Sequence, residues 1–231
     1  MASGSDIIHA ALRQYAPNRL IVANELYQSL REKVKEATFY KSLERMTKAG
    51  ELVHLTKGVY YRPKQTRFGV VPISEHDIAS HYMGDRRGLV VGYRMYNQKG
   101  LTTQISKNME ILSTALSEER KHILNVLVRK ISVALDEETK AIIETLEILQ
   151  GYRSIEDLNR RAMIAHLEAF ADGYSDAAAE KVLSSLKYKK STIAFLANVL
   201  DYRHVKHSLR CHLSTVSDYN IPSMETLYET A

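Results

Sequence analysis

Ile8, Ala11, Leu12 and Tyr15 recur at the spacing that lines one face of a helix, and Ser5 ahead of them reads as its N-cap. Ala16-Pro17-Asn18 ends that helix, because the residue before a proline avoids the helical region. Arg19–Val22 reads as a short strand, and Ala23–Leu30 as a second helix burying Leu26 and Leu30. A polar turn, Arg31–Lys35, leads to a third helix over about Glu36–Ala49, with Phe39, Leu43 and Met46 on one side. At about 100° per residue the opposite side carries Ala37, Thr38, Lys41, Glu44, Arg45 and Lys48. Gly50 stops the helix as a left-handed residue. Glu51–Thr56 and Val59–Pro63, two β-rich runs around Lys57-Gly58, predict a hairpin. Three helices followed by a hairpin is the order of a winged helix-turn-helix, expected over residues 1–66.

Beyond it the pattern changes. After Phe68–Pro72 comes a helical Ser74–Tyr82 stretch capped by Ser74, then a strand at Gly88–Val91 and a short helix over Gly92–Lys99 that Gly100 ends. Leu101–Gln104 is extended; Met109–Leu112, Lys121–Leu124 and Val126–Ile131 read as strands, with Asn125 near a tight turn. Asp136–Gln150 repeats Ile142, Ile143, Leu146 and Leu149 at helical spacing, and Gly151 stops it. Ser154-Ile155-Glu156-Asp157 resembles a capping box opening a helix to about Ala171. Ser175–Leu186 and Ser191–Tyr202 are two more helices, the latter burying Ile193, Leu196 and Leu200; a tail from about Val216 is less ordered or tucks into a groove. The expected fold class is α+β: an N-terminal winged helix-turn-helix, a small mixed α/β segment (67–135) and a C-terminal α-helical bundle (136–231), the last two forming one domain over 67–231.

Charge sharpens this division. Of the net +5, residues 1–67 hold 12 Lys and Arg against 6 Asp and Glu, a net +6, while the remaining residues hold 20 against 21, a net −1. A basic module joined to a neutral body points to a polyanion, and with this fold to double-stranded DNA. The third helix would enter the major groove with its N-terminal half near base edges. Thr38 and Lys41 are the candidate base contacts; Lys35, Arg45, Lys48 and, at the wing tip, Lys57 are the candidate phosphate contacts. Glu44 is unfavourable beside phosphate unless it accepts from a cytosine amino group. The same residues also fit a solvated helix face, and a winged helix also serves to dock proteins.

Other chemistry finds little footing. No apolar run approaches the roughly 18 residues that span a bilayer, and the opening Met1-Ala2-Ser3-Gly4-Ser5-Asp6 is not a secretion signal. Cys211 is the only cysteine, so an internal disulfide is impossible and a reducing, cytoplasmic setting is expected. Adjacent Glu137 and Glu138 read as helix-dipole partners, and Lys187, Lys189 and Lys190 as a solvated basic loop. His204, His207 and Cys211 would share a helix face, but without a fourth ligand at a recognised spacing no metal is expected. No phosphate-binding glycine loop, nucleophile elbow or paired catalytic motif occurs, so no cofactor and no enzyme activity are expected.

Three stretches carry a family resemblance. One is Lys57-Gly58-Val59-Tyr60-Tyr61-Arg62-Pro63 followed by Gly69 and Pro72; another is Gly92-Tyr93-Arg94-Met95-Tyr96-Asn97-Gln98-Lys99-Gly100-Leu101-Thr102-Thr103-Gln104; the third, looser, is Leu186–Leu196. They resemble the AbiE-type antitoxins of bacterial abortive-infection and type IV toxin–antitoxin systems, over about residues 5–135, with Arg94 where the family has a small residue. The resemblance implies an antitoxin that represses its own operon through inverted repeats, with a C-terminal region opposing a nucleotidyltransferase-like toxin encoded beside it. A transcription regulator with a ligand- or protein-sensing C-terminal half is the alternative. The residues themselves also allow a structural part for the signature, with Gly92 and Gly100 as turn glycines and Thr102, Thr103 and Gln104 satisfying local backbone groups.

Overall fold

Ser3, not Ser5, starts the first helix in the computed structural model, which describes residues 3–214 and 216–229. Its hydroxyl accepts from the Asp6 amide at 3.3 Å while the Asp6 carboxylate accepts from the Ser3 amide at 3.0 Å, a reciprocal cap on α1 (Gly4–Arg13). Tyr15 therefore lies beyond the helix it was expected to extend. Then come β1 (Leu20–Val22), α2 (Ala23–Leu30), α3 (Glu36–Lys48), β2 (Val53–Thr56) and β3 (Val59–Tyr61). Gly50 has φ +75°, the left-handed conformation that closes α3.

β3 is the middle strand of an antiparallel sheet in the order β1-β3-β2, with Leu20 opposite Tyr61 and Val53 opposite the same tyrosine. Pairing of β1 with β3 brings the chain between α1 and α2 onto the hairpin, a long-range contact that local pattern does not reveal. Ile8, Leu12, Ile21, Leu26, Leu30, Phe39, Leu43, Met46 and Leu52 meet in one apolar core. Those from the helices are the residues that periodicity selects.

A second hairpin follows, β4 (Lys64–Thr66) and β5 (Gly69–Val71), joined through Arg67-Phe68. Next is α4 (Glu75–Met83), where Ser74 and Asp77 repeat the reciprocal cap. The chain divides into two compact units: the first runs to His81 and takes in His122–Val126, and the second holds Tyr82–Lys121 and the residues from Leu127 on. A boundary between residues 66 and 67 would cut through the second hairpin, which the sequence pattern does not disclose.

After α4 come β6 (Gly88–Val91), α5 (Tyr93–Gln98), β7 (Met109–Ser113), β8 (Arg120–Ile123) and β9 (Val126–Lys130), in a sheet of order β6-β7-β9-β8 whose His122–Val126 stretch is counted with the first unit. The helices of the second unit are α6 (Glu137–Gly151), α7 (Arg160–Asp172), α8 (Asp176–Ser185), α9 (Lys190–Tyr202) and α10 (Met224–Glu229). One expectation holds for a different reason, and one fails. α6 ends at Gly151 as expected, but that glycine is not left-handed (φ −83°); a β-carbon there would come within 2.6 Å of the Tyr96 hydroxyl, so glycine serves close packing. Ser154–Asp157 opens no helix: α7 starts after Asn159, whose side chain accepts from the Ala162 amide at 3.1 Å.

For the end of the tail, the structure takes the second of the two expected forms. Met224 and Leu227 of α10 are buried in the second core, beside residues of α6, α7 and α9, so residues 224–229 tuck in; the expected tail's last two residues lie outside the described ones, as do Met1 and Ala2 of the leader reading. Together the elements make an α+β protein. Among the described residues no helix is long and apolar enough to cross a membrane.

Candidate nucleic-acid interface

α3 stands on Phe39, Leu43 and Met46, all buried, with Ser42 buried between them. That strip turns Ala37, Thr38, Lys41, Glu44, Arg45 and Lys48 outward, and all are exposed. Lys35 occupies the N-cap in extended conformation without a side-chain cap and is exposed as well. Four of the six residues singled out from the sequence thus share one helix, with Lys35 at its N-cap.

Two of these cations already have neighbours. The Arg45 guanidinium donates to the Ser5 hydroxyl at 2.7 Å, and Lys48 pairs with Glu44 at 2.6 Å, one helical turn apart. The hydrogen bond from Lys48 holds the Glu44 carboxyl below its ordinary range. Both pairs are solvent-exposed and contribute little to stability, so either cation can exchange its partner for a phosphate. Lys41 and Thr38 share with Ser5, Ser42, Glu44, Arg45 and Lys48 a shallow depression on this face. Gly4 of α1 lies against Thr38 and Val34, so the α1 N-terminus borders the same surface.

Lys57 is exposed but set apart from α3. It occupies the β2–β3 turn, where Gly58 has φ +71° and its carbonyl accepts from the Ala23 amide at the start of α2 (2.8 Å).

Sequence reasoning missed two features of this unit. Ser5, expected as a cap, instead steadies Arg45. Tyr40 flanks the helix face, half out in solvent, in an aromatic group with Tyr27 and Phe39 whose ring centroids are 5.2–6.3 Å apart. Adjacent to a core phenylalanine in the sequence, Tyr40 gives no periodic signal of its own.

The charge division shifts slightly at the observed boundary. The first unit takes in Glu75 and Asp77 of α4, so it holds 12 Lys and Arg against 8 Asp and Glu, a net +4; the second holds 20 against 19, a net +1. Most of the positive excess still sits in the unit that contains α3.

In the glycine–threonine–glutamine signature, Asn97 Nδ2 donates to the Thr102 carbonyl at 3.2 Å, Thr102 Oγ1 to the Glu156 carbonyl at 2.6 Å, and Gln104 Nε2 to Asp157 at 2.7 Å. The first bond is local, and the other two tie the loop after α5 to the loop before α7. His204, His207 and Cys211 do not share a helix: α9 ends at Tyr202, His204 has φ +57°, and Cys211 belongs to a separate 3-10 turn. His207 Nε2 lies 3.0 Å from Asp201. Among the described residues no group of three metal-ligating side chains forms. Glu137 pairs with Lys140 at 3.0 Å in the first turn of α6, and Lys187, Lys189 and Lys190 are exposed.

A family of unknown function (DUF6088) matches residues 19–148, from β1 into α6. No curated protein matches the chain.

Proposed function

The chain belongs to that family of unknown function, and we propose that its N-terminal unit is a winged helix-turn-helix that binds double-stranded DNA. In this reading α2 and α3 form the helix-turn-helix, β1-β3-β2 is the wing sheet and α3 is the recognition helix. The observation that carries it is the outward face of α3: Thr38, Lys41, Arg45 and Lys48 exposed together over a buried Phe39–Leu43–Met46 strip, in the unit that holds most of the positive excess. Thr38 and Lys41, nearer the N-terminus of α3, meet base edges. Lys35, Arg45, Lys48 and Lys57 meet phosphates and set the register.

Glu44 supports a role in selectivity. With its charge balanced by Lys48 it does not repel the duplex strongly, and freed from that pair it accepts from a cytosine amino group. A Lys41→Ala/Arg45→Ala double variant tests the reading on a duplex taken from immediately upstream of the gene. Affinity should fall by tenfold or more, and the salt dependence should lose about one unit of slope for each phosphate contact removed. Unchanged affinity and unchanged slope would contradict it.

The resemblance to AbiE-type antitoxins extends the proposal to biology: repression of the chain's own operon through inverted repeats, in the cytoplasm, with the second unit opposing a nucleotidyltransferase-like toxin. Co-expressing the full chain with the product of the neighbouring gene tests this. Growth restored by the full chain is the expected outcome; a neighbour that is harmless alone removes the antitoxin part and leaves DNA binding standing.

A further inference from the structure

We propose that the β4–β5 hairpin is a second DNA-contacting arm, placing Arg67 and Phe68 in the minor groove next to the major groove that α3 occupies; this rests on the DNA reading of α3 above. Its tip is unusual for a folded protein. Phe68 is 86% exposed, and the Arg67 guanidinium lies over its ring at 4.6 Å from the centroid. All six strand residues, Lys64–Thr66 and Gly69–Val71, are exposed, so neither face of the ribbon serves a core. Phe68, Val70 and Val71 are all exposed, so three neighbouring apolar side chains stand in water on one arm with no core to join.

The arm is nevertheless firmly mounted. Asn18, itself in a left-handed conformation (φ +58°), accepts from the Lys64 amide at 3.0 Å and donates to the Pro72 carbonyl at 3.3 Å, clamping both ends of the hairpin. Arg62 donates to the Tyr15 and Arg13 carbonyls at 2.8 and 3.3 Å, fixing the strand that leads into it. Thr66 Oγ1 donates to the Gly69 carbonyl at 2.9 Å across the turn. Such an arm presents its tip without first having to be ordered.

Charge and position select the partner. From Arg62 to Ser74 the chain carries Arg62, Lys64 and Arg67 and no acidic residue, so the tip suits a polyanion better than a neutral apolar groove. Pro63 and Gln65, at the root of the arm, line one depression with Met46, Ala49 and Gly50, which places that root beside the C-terminal end of α3. A helix seated by its N-terminal half in the major groove leads at its other end toward the phosphate ridge and the neighbouring minor groove. The strands are too broad for a groove about 6 Å wide, so the tip side chains are what enter it. Arginine is drawn to the negative potential there, and an exposed phenylalanine packs on the sugars or wedges between base steps.

Dimethyl sulfate separates the two contacts, because it methylates guanine N7 in the major groove and adenine N3 in the minor groove. On the same upstream duplex, the intact chain should protect both kinds of site. The full-length Arg67→Ala/Phe68→Ala variant should bind about tenfold more weakly and lose the adenine protections while keeping those at guanine. If that variant keeps its affinity and its adenine protections while Lys41→Ala/Arg45→Ala loses binding, the arm is not a DNA contact and the α3 reading stands. If the intact chain does not bind the duplex, both proposals fall. If the tip variant instead converts a dimer to a monomer with unchanged affinity per chain, the arm joins two copies and the minor-groove assignment is overturned.

Discussion

α3 and α9 are both 13-residue helices that begin at an uncapped lysine, yet they are built for opposite ends. α9 buries Thr192, Ile193, Ala194, Phe195, Leu196, Ala197, Val199 and Leu200, so it is apolar nearly all round and is enclosed by its neighbours. α3 buries a single strip, Phe39, Ser42, Leu43 and Met46, and leaves the rest to water. A helix packed on most sides has no surface left for a partner; one packed on a single side has a free face held rigidly in place. Substitutions on α9 should therefore be felt as stability, and outward substitutions on α3 as binding.

The largest effect tests the enclosed helix. Phe195→Ala removes a buried ring that packs edge-on against Tyr152 (centroids 5.5 Å apart) and should destabilise the chain by about 3–5 kcal/mol in denaturant unfolding. A cost below about 1 kcal/mol would break the contrast. Next is pH. His166, 3.1 Å from Thr145 on α6, is pushed down to about 4 by burial and by the Lys99 charge. The unfolded chain binds this proton from about pH 6.5, whereas the folded one resists until about 4, so the stability it contributes is present above 6.5 and lost as pH falls to 4. The loss is on the order of 2–3 kcal/mol. His166→Gln should flatten that part of the pH–stability curve, and an unaltered curve would refute the assignment.

On α3 the outcome should invert. Lys41→Ala is expected to leave unfolding within about 0.5 kcal/mol while weakening DNA binding by about 1–3 kcal/mol. Equal losses in both would mean that α3 is no freer than α9. The smallest effect concerns the support of that face: Ser3→Ala removes the α1 cap and should cost about 1 kcal/mol of stability, with the site on α3 intact.

Three Ser-x-x-Asp sequences show how far local reading carries. Ser3–Asp6 and Ser74–Asp77 each form a reciprocal helix cap. Ser154–Asp157 has the same pattern and forms none. Ser154 donates its hydroxyl back to the Gly151 carbonyl at 2.8 Å, Asp157 has φ +51°, and its carboxylate accepts from Gln104. The Ser154 bond is local, but those that hold the loop, from Gln104 to Asp157 and from Thr102 to the Glu156 carbonyl, come from more than fifty positions away, where local pattern has no reach. The helix face over Glu36–Lys48 was legible because one side is buried and the other is charged. The β4–β5 hairpin was not, because with both faces exposed it has no alternation to read. Gly151 marks the end of α6 correctly but not its own reason: a stop glycine and a glycine required by the Tyr96 side chain look alike in one dimension.

The direct test of the central claim is the salt dependence of binding between the full chain and its upstream duplex. With Lys35, Arg45, Lys48 and Lys57 on phosphates, the logarithm of the association constant should fall against the logarithm of salt concentration with a slope of about −3 to −4 per chain. A slope near zero, or no binding at low salt, would contradict the assignment of α3 to DNA.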